Sequence, residues 1–399
     1  MNIEGITASE IPNSRGEKTI EVSVKNKSGS FSAQLPSGKS RGKKEAVVLG
    51  AKSAKNILKS GLEKEITQKE FNTISDLDKF LIEYDGTENK SKIGGDLSLG
   101  ISISFARALA DEREIKLWEV LKGEFFDNTV ESDPPKIFFN MINGGAHADT
   151  NLNIQEYQIV GVIGEGVTST INELKSLYTK LGVLLSRKFG SERISFGDEQ
   201  GYATDFRNNF EPLEILNELL YESVYKKEFT LGIDAAASSF YNGKNYRCDE
   251  EEINTDKLHD AYAKYFKECD SLEYIEDPFA QDDEKGFKKV FENFGNEKVL
   301  IGDDLTTTDA KLIKKYAGNA INGVIIKPNQ IGTVTETCEA MLIAEENNIQ
   351  RIVSHRSGEV EDPFIIHFAK AAGAEGVKIG VPVIKERISK FDELVRLYS

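Results

Sequence analysis

Cysteine, tryptophan and histidine are scarce in this chain of 399 residues, which contains only three, one and four of them. The cysteines form no C-x-x-C pair and are odd in number, which argues against a disulfide framework or a thiolate metal site. No stretch approaches the ~18 apolar residues of a membrane-spanning helix. The first residues also lack the basic and apolar regions of a signal peptide. We therefore expect a cytoplasmic protein without a membrane partner.

Positive charge is in short supply as well. Lysine and arginine number 50 against 66 aspartates and glutamates, which gives a formal net charge of −16. Nucleic acids and anionic membranes attract basic surfaces, so neither is expected as a partner. An anionic small molecule is not excluded, because a local cluster of cations and metal ions can hold a phosphate inside an acidic protein.

The length predicts two domains, one of them large. The first part has α+β character, and the segment 123–135 is polar and ends in Pro134-Pro135, so we place the boundary there. This gives an α+β domain at 1–133 and a larger domain at 134–399. Within the first domain, the patterns predict two strands and three helices, at 19–24, 30–35, 44–59, 68–83 and 95–121.

After residue 136, short apolar strands end in polar residues and then give way to helical stretches. The polar ends are Asp234, Glu276, Asp303, Lys327, His355 and Lys378. Their spacing of about 23–42 residues fits successive βα units of a parallel sheet. In a (β/α)₈ barrel, the carboxyl ends of the strands converge on one mouth and build the active site. We therefore predict an α/β barrel whose six polar strand ends face one pocket.

Three of these strand ends are acidic, namely Asp234, Glu276 and Asp303. Carboxylates crowded at one mouth repel each other unless a cation neutralises them. Hard oxygen ligands favour Mg²⁺, which binds a few carboxylates together with waters and substrate oxygens. The alternative, that these are ordinary strand-end residues, is weaker for three consecutive strands than for any one of them.

The basic strand ends suggest a base and an anion site. A lysine buried beside a metal ion and other cations has a depressed pKa, so Lys327 is a candidate general base. Arg356 and Ser357 follow His355, and a guanidinium with a neighbouring hydroxyl can bind phosphate. The alternatives are a lysine that extends to solvent at the barrel rim and a surface arginine at a helix start.

Two further carboxyls and a histidine lie in suggestive places before these strands. Glu156 and Glu199 could share acid–base work on a leaving group, and His147 follows a glycine-rich stretch that could fold over a ligand. Each of these residues taken singly is explained as well by an ordinary surface position.

The motifs together resemble those of the enolase family. They run in family order from residue 13 onwards, at 13–16, 36–40, 85–92, 142–147, 155–156, 197–199, 276–279, 302–306, 327–332 and 353–359. The resemblance implies an enolase-type barrel that begins ββαα, preceded by the α+β domain. It also implies the Mg²⁺-dependent dehydration of 2-phosphoglycerate to phosphoenolpyruvate.

The resemblance also implies residue roles. Lys327 would be the base at C2, and Glu199 with Glu156 would be the acid at the C3 hydroxyl. Lysine or histidine bases with one or two Mg²⁺ ions are known from the wider superfamily. Two Mg²⁺ ions are expected, with the ligands Asp234, Glu276 and Asp303 for the first and Ser40 for the second. The implied substrate contacts are His147, Gln155, Glu156, Arg356, Ser357 and Lys378, with His355 in the catalytic group.

A homodimer or higher homo-oligomer is implied too, with Glu21 paired across the interface with Arg396. A second family pair is broken here, because Ser9 stands where an arginine is common. The chain departs from the family pattern elsewhere without losing a catalytic residue, at Lys39, Arg41, Gln200 and Ser239.

Two other interpretations stay open. Another superfamily member that acts on a carboxylate would carry a K-x-K motif on the second barrel strand, where this chain has Ser195-Phe-Gly-Asp-Glu199. The second interpretation is a non-catalytic, enolase-like binding protein. The retained metal, base and phosphate residues argue against it.

Overall fold

The computed structural model describes residues 1–39, 42–127, 133–223 and 228–398. An antiparallel sheet opens the chain, in the order β1-β2-β3. Its strands are β1 (Gly5–Pro12), β2 (Lys18–Asn26) and β3 (Gly29–Leu35). Ile20, Val22 and Val24 of β2 are buried, which is the alternation of a strand with one face on a core. The two predicted strands are confirmed as β2 and β3, whereas β1 was not predicted.

Helices pack on this sheet. They are α1 (Gly50–Ile57), α2 (Glu63–Thr67), α3 (Ile74–Asp85), α4 (Gly95–Glu112) and α5 (Leu117–Phe125). The helix α4 lies directly on the sheet, where a Cβ at Gly100 would come within 2.4 Å of a methyl group of Val22. Glycine at this position therefore permits the close approach of helix and sheet.

The predicted helix boundaries in this part are wrong in three places. The helix expected at 68–83 begins only at α3, because the hydroxyl of Thr73 caps it by accepting from the backbone N–H of Asp76 at 3.0 Å. The helix expected at 95–121 is two helices, with Glu114 in the left-handed region between them (φ 54°). The helix expected at 44–59 begins at Gly50, since the backbone N–H of Ala46 bonds instead to the carbonyl of Gln330.

The rest of the chain contains the barrel and a separate two-stranded sheet. Its strands are β4 (Lys136–Asn143), β5 (Glu156–Gly161), β6 (Ser195–Phe196), β7 (Tyr202–Ala203), β8 (Phe229–Asp234), β9 (Tyr246–Cys248), β10 (Glu251–Ile253), β11 (Leu272–Glu276), β12 (Val299–Gly302), β13 (Gly323–Ile326), β14 (Gln350–Ser354) and β15 (Gly376–Lys378). Eight of them close on themselves in the order β4-β5-β8-β11-β12-β13-β14-β15, and β15 pairs with β4. The predicted α/β barrel is confirmed.

Helices surround the barrel. They are α6 (Val167–Phe189), α7 (Glu211–Tyr221), α8 (Thr255–Glu268), α9 (Glu284–Phe294), α10 (Ala310–Tyr316), α11 (Pro328–Ile331), α12 (Val334–Glu346), α13 (Phe364–Ala372) and α14 (Lys385–Tyr398). The barrel begins with β4 and β5, followed by α6 and α7, which is the expected ββαα start. The strand β5 runs antiparallel to both β4 and β8, while the other barrel pairings are parallel. Within the described residues, no helix combines the length and apolar character needed to cross a membrane.

Side chains fill the barrel interior. A separate buried cluster contains Phe138, Val160, Tyr274, Val299, Ile301, Ile325 and Ile352, all from barrel strands. A barrel packed in this way has no open pore, so a ligand can enter only at a mouth.

The amino-terminal part lies against the barrel through buried polar contacts. Asp78 of α3 accepts hydrogen bonds from the backbone N–H and the hydroxyl of Thr335, both at 2.8 Å, at the first turn of α12. The ammonium of Lys90 lies 2.8 Å from Glu336 in the same turn. These contacts fix the amino-terminal part over the end of the barrel where the polar strand ends lie.

Candidate active site

The carboxyl ends of the barrel strands meet around a cavity lined mostly by polar side chains. Glu156 also faces this end, because β5 runs antiparallel and begins where its neighbours finish; it pairs with Asp234 in register. Within the described residues, every predicted site residue lines the cavity except Glu276, whose carboxylate contacts Lys378. Ser40, the predicted ligand of a second metal ion, lies outside the described residues.

Three strand-end carboxylates are compensated by two lysines. The ammonium of Lys378 lies 3.0 Å from Oδ2 of Asp234 and 2.8 Å from Oε2 of Glu276. Lys327 contacts Oδ2 of Asp303. Burial and repulsion from Asp234 raise the pKa of Glu276 well above its ordinary value. Two lysine ammonium groups therefore face these three carboxylates and also Glu156, whose Oε1 lies 3.2 Å from Nζ of Lys378.

These residues fit a hard divalent cation. Oε1 of Glu276 is buried and has no hydrogen-bond partner, so one strong acceptor remains available. The ligand set consists of carboxylate oxygens, which Mg²⁺ prefers. Among the described residues, however, the groups whose ligand atoms lie within 4.8 Å of one another are His147, Glu156, Glu199 and Asp277, Asp303, Asp304. The predicted triad is not one of them and stays a prediction.

Asp277, which the sequence analysis did not single out, shapes the loop that carries Asp303. Its two carboxylate oxygens accept from the backbone N–H groups of Asp303 and Asp304, at 2.9 and 2.7 Å. Burial and the charges of Asp304 and Asp303 raise the pKa of Asp277 well above its ordinary value. Glu276 is thus a predicted metal ligand, and the residue directly after it, Asp277, orients the loop that carries the predicted ligand Asp303.

Lys327 is buried among charged groups that act on its pKa. Burial would lower the pKa of its ammonium, as would the cations Arg356 and Lys378. The carboxylates of Asp303 and Glu276 act in the other direction, and the pKa lies above the ordinary value. The expected depression supposes a metal ion beside the lysine, so it stays a prediction.

Glu156 and Glu199 form a coupled carboxyl pair. Nδ1 of His147 lies 3.7 Å from Oε1 of each, and Asn140 donates to Oε2 of Glu199 at 3.1 Å. Burial and repulsion from Glu199 raise the pKa of Glu156 well above its ordinary value. Burial also acts to raise the pKa of Glu199, but His355 and His147 hold it below its ordinary value. The two carboxyls therefore differ in acidity, and Glu156 is the one that binds a proton more readily.

His355 is held between an arginine and this carboxyl pair. Nη1 of Arg387 donates to Nδ1 of His355, and Nε2 of the ring lies 3.2 Å from Oε2 of Glu199. A guanidinium can only donate, so Nδ1 is an acceptor and the proton of the neutral ring is on Nε2. Burial lowers the pKa of His355 to about 4. Sequence reasoning missed Arg387, since an arginine on α14 is indistinguishable from a surface residue until the fold buries it.

The other side of the cavity carries Arg356 and Ser357. The hydroxyl of Ser357 accepts from the backbone N–H of Lys39 at 3.1 Å and from Nη1 of Arg15 at 2.6 Å. A Cβ at Gly38 would lie 1.8 Å from Nη2 of Arg356, so a larger residue there would displace the guanidinium. The segment before the undescribed residues 40–41 therefore lies directly on the predicted phosphate contacts.

The remaining predicted contacts cluster at Asp234. Gln155 donates from its backbone to the carbonyl of Asp234 at 2.9 Å and from Nε2 to its carboxylate at 3.3 Å. Oε1 of Gln155 is buried without a partner. This amide oxygen is a further acceptor that a ligand in the cavity can use.

Comparison with known proteins finds matches that cover nearly the whole chain. The family model described as "Enolase, C-terminal TIM barrel domain" matches residues 134–399, and "Enolase, N-terminal domain" matches residues 3–121. The enolase of Ehrlichia canis (strain Jake) is 37% identical over 413 residues, covering 99% of this chain and 96% of the relative. The enolase of Methanopyrus kandleri (strain AV19) is 36% identical, covering 99% of this chain and 95% of the relative. The enolase of Aeropyrum pernix is 34% identical, covering 99% and 93%.

Proposed function

The chain belongs to the enolase family and is a hydro-lyase that dehydrates 2-phosphoglycerate to phosphoenolpyruvate in glycolysis, and we propose how its own residues divide that reaction. The observation that carries the proposal is the arrangement around one cavity, which is lined by Lys327 on one side and by the carboxyls of Glu156 and Glu199 on another.

Lys327 is proposed as the base that removes the C2 proton. The proton next to a carboxylate is very weakly acidic, and its removal gives a dianionic intermediate that only concentrated positive charge stabilises. Lys327, Lys378 and Arg356 line the cavity and supply part of that charge. Because Asp303 raises the pKa of Lys327, the lysine would serve as a base when another cation neutralises the charge of Asp303.

Family membership implies a divalent metal ion, and we propose two Mg²⁺ ions per site. Asp234, Glu276 and Asp303 would hold the first, and Ser40, outside the described residues, would contribute to the second. When bound, the ions supply positive charge that stabilises the developing negative charge on the substrate carboxylate.

Glu199 is proposed as the acid at the C3 hydroxyl, acting together with Glu156. Burial and repulsion from Glu199 raise the pKa of Glu156 well above its ordinary value, so Glu156 is proposed as the proton-bearing member of the pair. Glu156 would give this proton to Glu199, and Glu199 would pass it to the C3 hydroxyl, which leaves as water. His355 and Asn140 lie against the Glu199 carboxylate and hold it in place.

The substrate is proposed to contact residues on both sides of this pair. Arg356 and Ser357 would bind the phosphate, since a guanidinium presents a planar fork to phosphate oxygens. The remaining proposed contacts are His147, Gln155, Glu156 and Lys378.

Three further proposals concern the whole molecule. The boundary between the α+β domain and the barrel is placed at residues 133 and 134. The protein is proposed to be a cytoplasmic homodimer, with Glu21 and Arg396 paired across the interface.

The test is a direct assay of phosphoenolpyruvate formation from 2-phosphoglycerate by the purified chain. The expected result is dehydration that is abolished by EDTA and restored by Mg²⁺, with Glu276→Gln requiring more Mg²⁺ than the wild type. Glu273→Gln, which changes a carboxylate on the same strand, is the matched control. Full activity after exhaustive chelation would show that the proposed ligands serve another purpose.

A further inference from the structure

Glu45 belongs to the amino-terminal part of the chain, yet its side chain lines the cavity at the barrel mouth. It lies in the segment that connects β3 to α1, and its side chain is only 7% exposed. None of the roles assigned above involves this residue. A buried carboxylate in this position needs an explanation, because burying a charge is costly unless it is paired and hydrogen-bonded.

One side of the Glu45 carboxylate contacts the guanidinium of Arg356. Oε2 accepts from Nη1 at 3.1 Å and from Nη2 at 3.2 Å, while Oε1 accepts from Nη2 at 3.2 Å. Nη1 also donates to Oδ1 of Asn329 at 3.1 Å. Burial acts to lower the pKa of Arg356, and the charge of Glu45 is the largest influence that raises it. Glu45 is thus a principal counter-charge of Arg356.

The other side of the carboxylate contacts Gln330. Oε1 of Glu45 accepts from Nε2 of Gln330 at 3.3 Å, and the same Nε2 donates to Oδ1 of Asp303 at 2.9 Å. The orientation of this amide is fixed by Thr308, whose hydroxyl donates to Oε1 of Gln330 at 2.7 Å while it accepts from the backbone N–H of Lys327. Glu45 therefore joins the arginine to the strand ends that carry the proposed base.

Arginine has a long, flexible side chain, and its planar fork binds phosphate well only in one orientation. A contact that holds the fork in that orientation beforehand reduces the ordering cost of binding. A carboxylate placed on two guanidinium nitrogens is a geometry that does so, because paired N–H···O bonds fix the plane of the guanidinium.

We propose that Glu45 is a positioning residue for substrate binding, which holds the guanidinium of Arg356 in the orientation that receives the phosphate. The inference rests on the proposed role of Arg356 as the phosphate contact. Glu45 acts through Arg356 and does not itself touch the phosphate.

The experiment is a double-mutant cycle with Glu45→Gln, Arg356→Met and the two combined. Binding of phosphoenolpyruvate in saturating Mg²⁺ is measured by calorimetry, and kcat and KM for 2-phosphoglycerate are measured on the same preparations. Glu45→Asp keeps the charge on a shorter side chain and is the conservative variant. Thermal melts and circular dichroism establish that each variant is folded.

The matched control is Glu375→Gln. Glu375 makes a similar paired contact with Arg351, at 3.1 and 2.6 Å, but at the opposite end of the barrel strands. It reports what the loss of an arginine–glutamate pair does to the fold alone. Phosphoenolpyruvate affinity should be unchanged in this variant.

We expect Glu45→Gln to weaken phosphoenolpyruvate binding roughly tenfold, the size of one charge-assisted hydrogen bond, and to raise KM by a similar factor with kcat within about threefold. Glu45→Asp should restore part of the affinity. In the Arg356→Met background, Glu45→Gln should have no further effect.

Unchanged or tighter binding by Glu45→Gln would overturn the inference, since a carboxylate that only repels phosphate gives tighter binding when its charge is removed. Additive effects in the double variant would overturn it as well. If Arg356→Met left affinity unchanged, the proposed phosphate role of Arg356 would fail together with the inference. If only Glu45→Gln were without effect, the inference alone would fail.

Discussion

Nε2 of His355 lies 3.2 Å from Oε2 of Glu199, and Nδ1 of the same ring accepts a hydrogen bond from Arg387. The arginine therefore fixes which nitrogen carries the ring proton and directs it toward Glu199. Since burial lowers the pKa of His355 to about 4, the ring is neutral at neutral pH. His355 thus presents an uncharged Nε2–H to Glu199.

Replacing His355 should therefore impair Glu199 without removing it. His355→Phe is expected to lower kcat for dehydration about 10–100-fold, because a hydrogen bond to an ionised group contributes ~1.5–3 kcal/mol. Steady-state assays of phosphoenolpyruvate formation measure this. The control is His259→Phe, which replaces another buried histidine on α8, away from the mouth. A kcat within twofold of the wild type in His355→Phe would show that Glu199 is held by other groups.

Much of the barrel mouth is predictable from sequence, because each strand is short, apolar and followed by a polar residue. Asp234, Glu276 and Lys378 end their strands, and Asp303 and Lys327 follow theirs directly. The rule that parallel strands end at one mouth then brings these residues together.

Contacts across long stretches of chain are not predictable in this way. Glu45 and Arg356 are 311 positions apart, and Arg387 reaches His355 from the last helix. Neither Glu45 nor Arg387 follows an apolar strand, so no local pattern marks it. The contact of Lys327 with Asp303, which raises the pKa of the lysine, could not be predicted either, because a sequence pattern does not show which neighbours a side chain touches.

Asp78 gives a pH-dependence that does not involve the cavity. Burial raises its pKa to about 7, against about 3.9 in an unfolded chain. Between these values the folded protein holds a proton that the unfolded chain has released, so the free energy of unfolding falls as pH rises from 4 to 7. Asp78→Asn removes this dependence. The free energy of unfolding of Asp78→Asn minus that of the wild type should therefore rise by roughly 2–3 kcal/mol between pH 5 and pH 7.

Urea unfolding of the two proteins at several pH values measures this difference. Asp76→Asn changes an exposed carboxylate on the same helix, and its stability should follow the wild type at every pH. If the stability difference between Asp78→Asn and the wild type were the same at pH 5 and pH 7, Asp78 would not titrate in this range.

The proposed dimer predicts a charge-swap rescue. Arg396 is exposed on α14, where it pairs with Glu393 of the same helix, and Glu21 accepts from Gln34 on the neighbouring strand. Arg396→Glu should shift the equilibrium toward monomer by placing like charges opposite each other, and the added change Glu21→Arg should restore the dimer. Sedimentation velocity at micromolar concentration measures the two states.

Lys385→Glu is the control for the charge-swap series, since it reverses another exposed charge on α14. It should sediment as the wild type does. A wild-type chain that sediments only as a monomer would refute the dimer, and dissociation by Lys385→Glu would show that net charge on this helix matters more than the proposed pair.

In the proposed mechanism, Lys327 removes the C2 proton and Glu199 assists the departure of the C3 hydroxyl. The most direct measurement follows exchange of the C2 proton with solvent deuterium by NMR, alongside dehydration, in Lys327→Ala and Glu199→Gln. General acid–base groups contribute about 10²–10⁴-fold, so each loss is readily detected. We expect Lys327→Ala to lose both exchange and dehydration, and Glu199→Gln to lose dehydration while it still exchanges the proton. Exchange that persists in Lys327→Ala and is lost in Glu199→Gln would contradict the assignment and reverse the two roles.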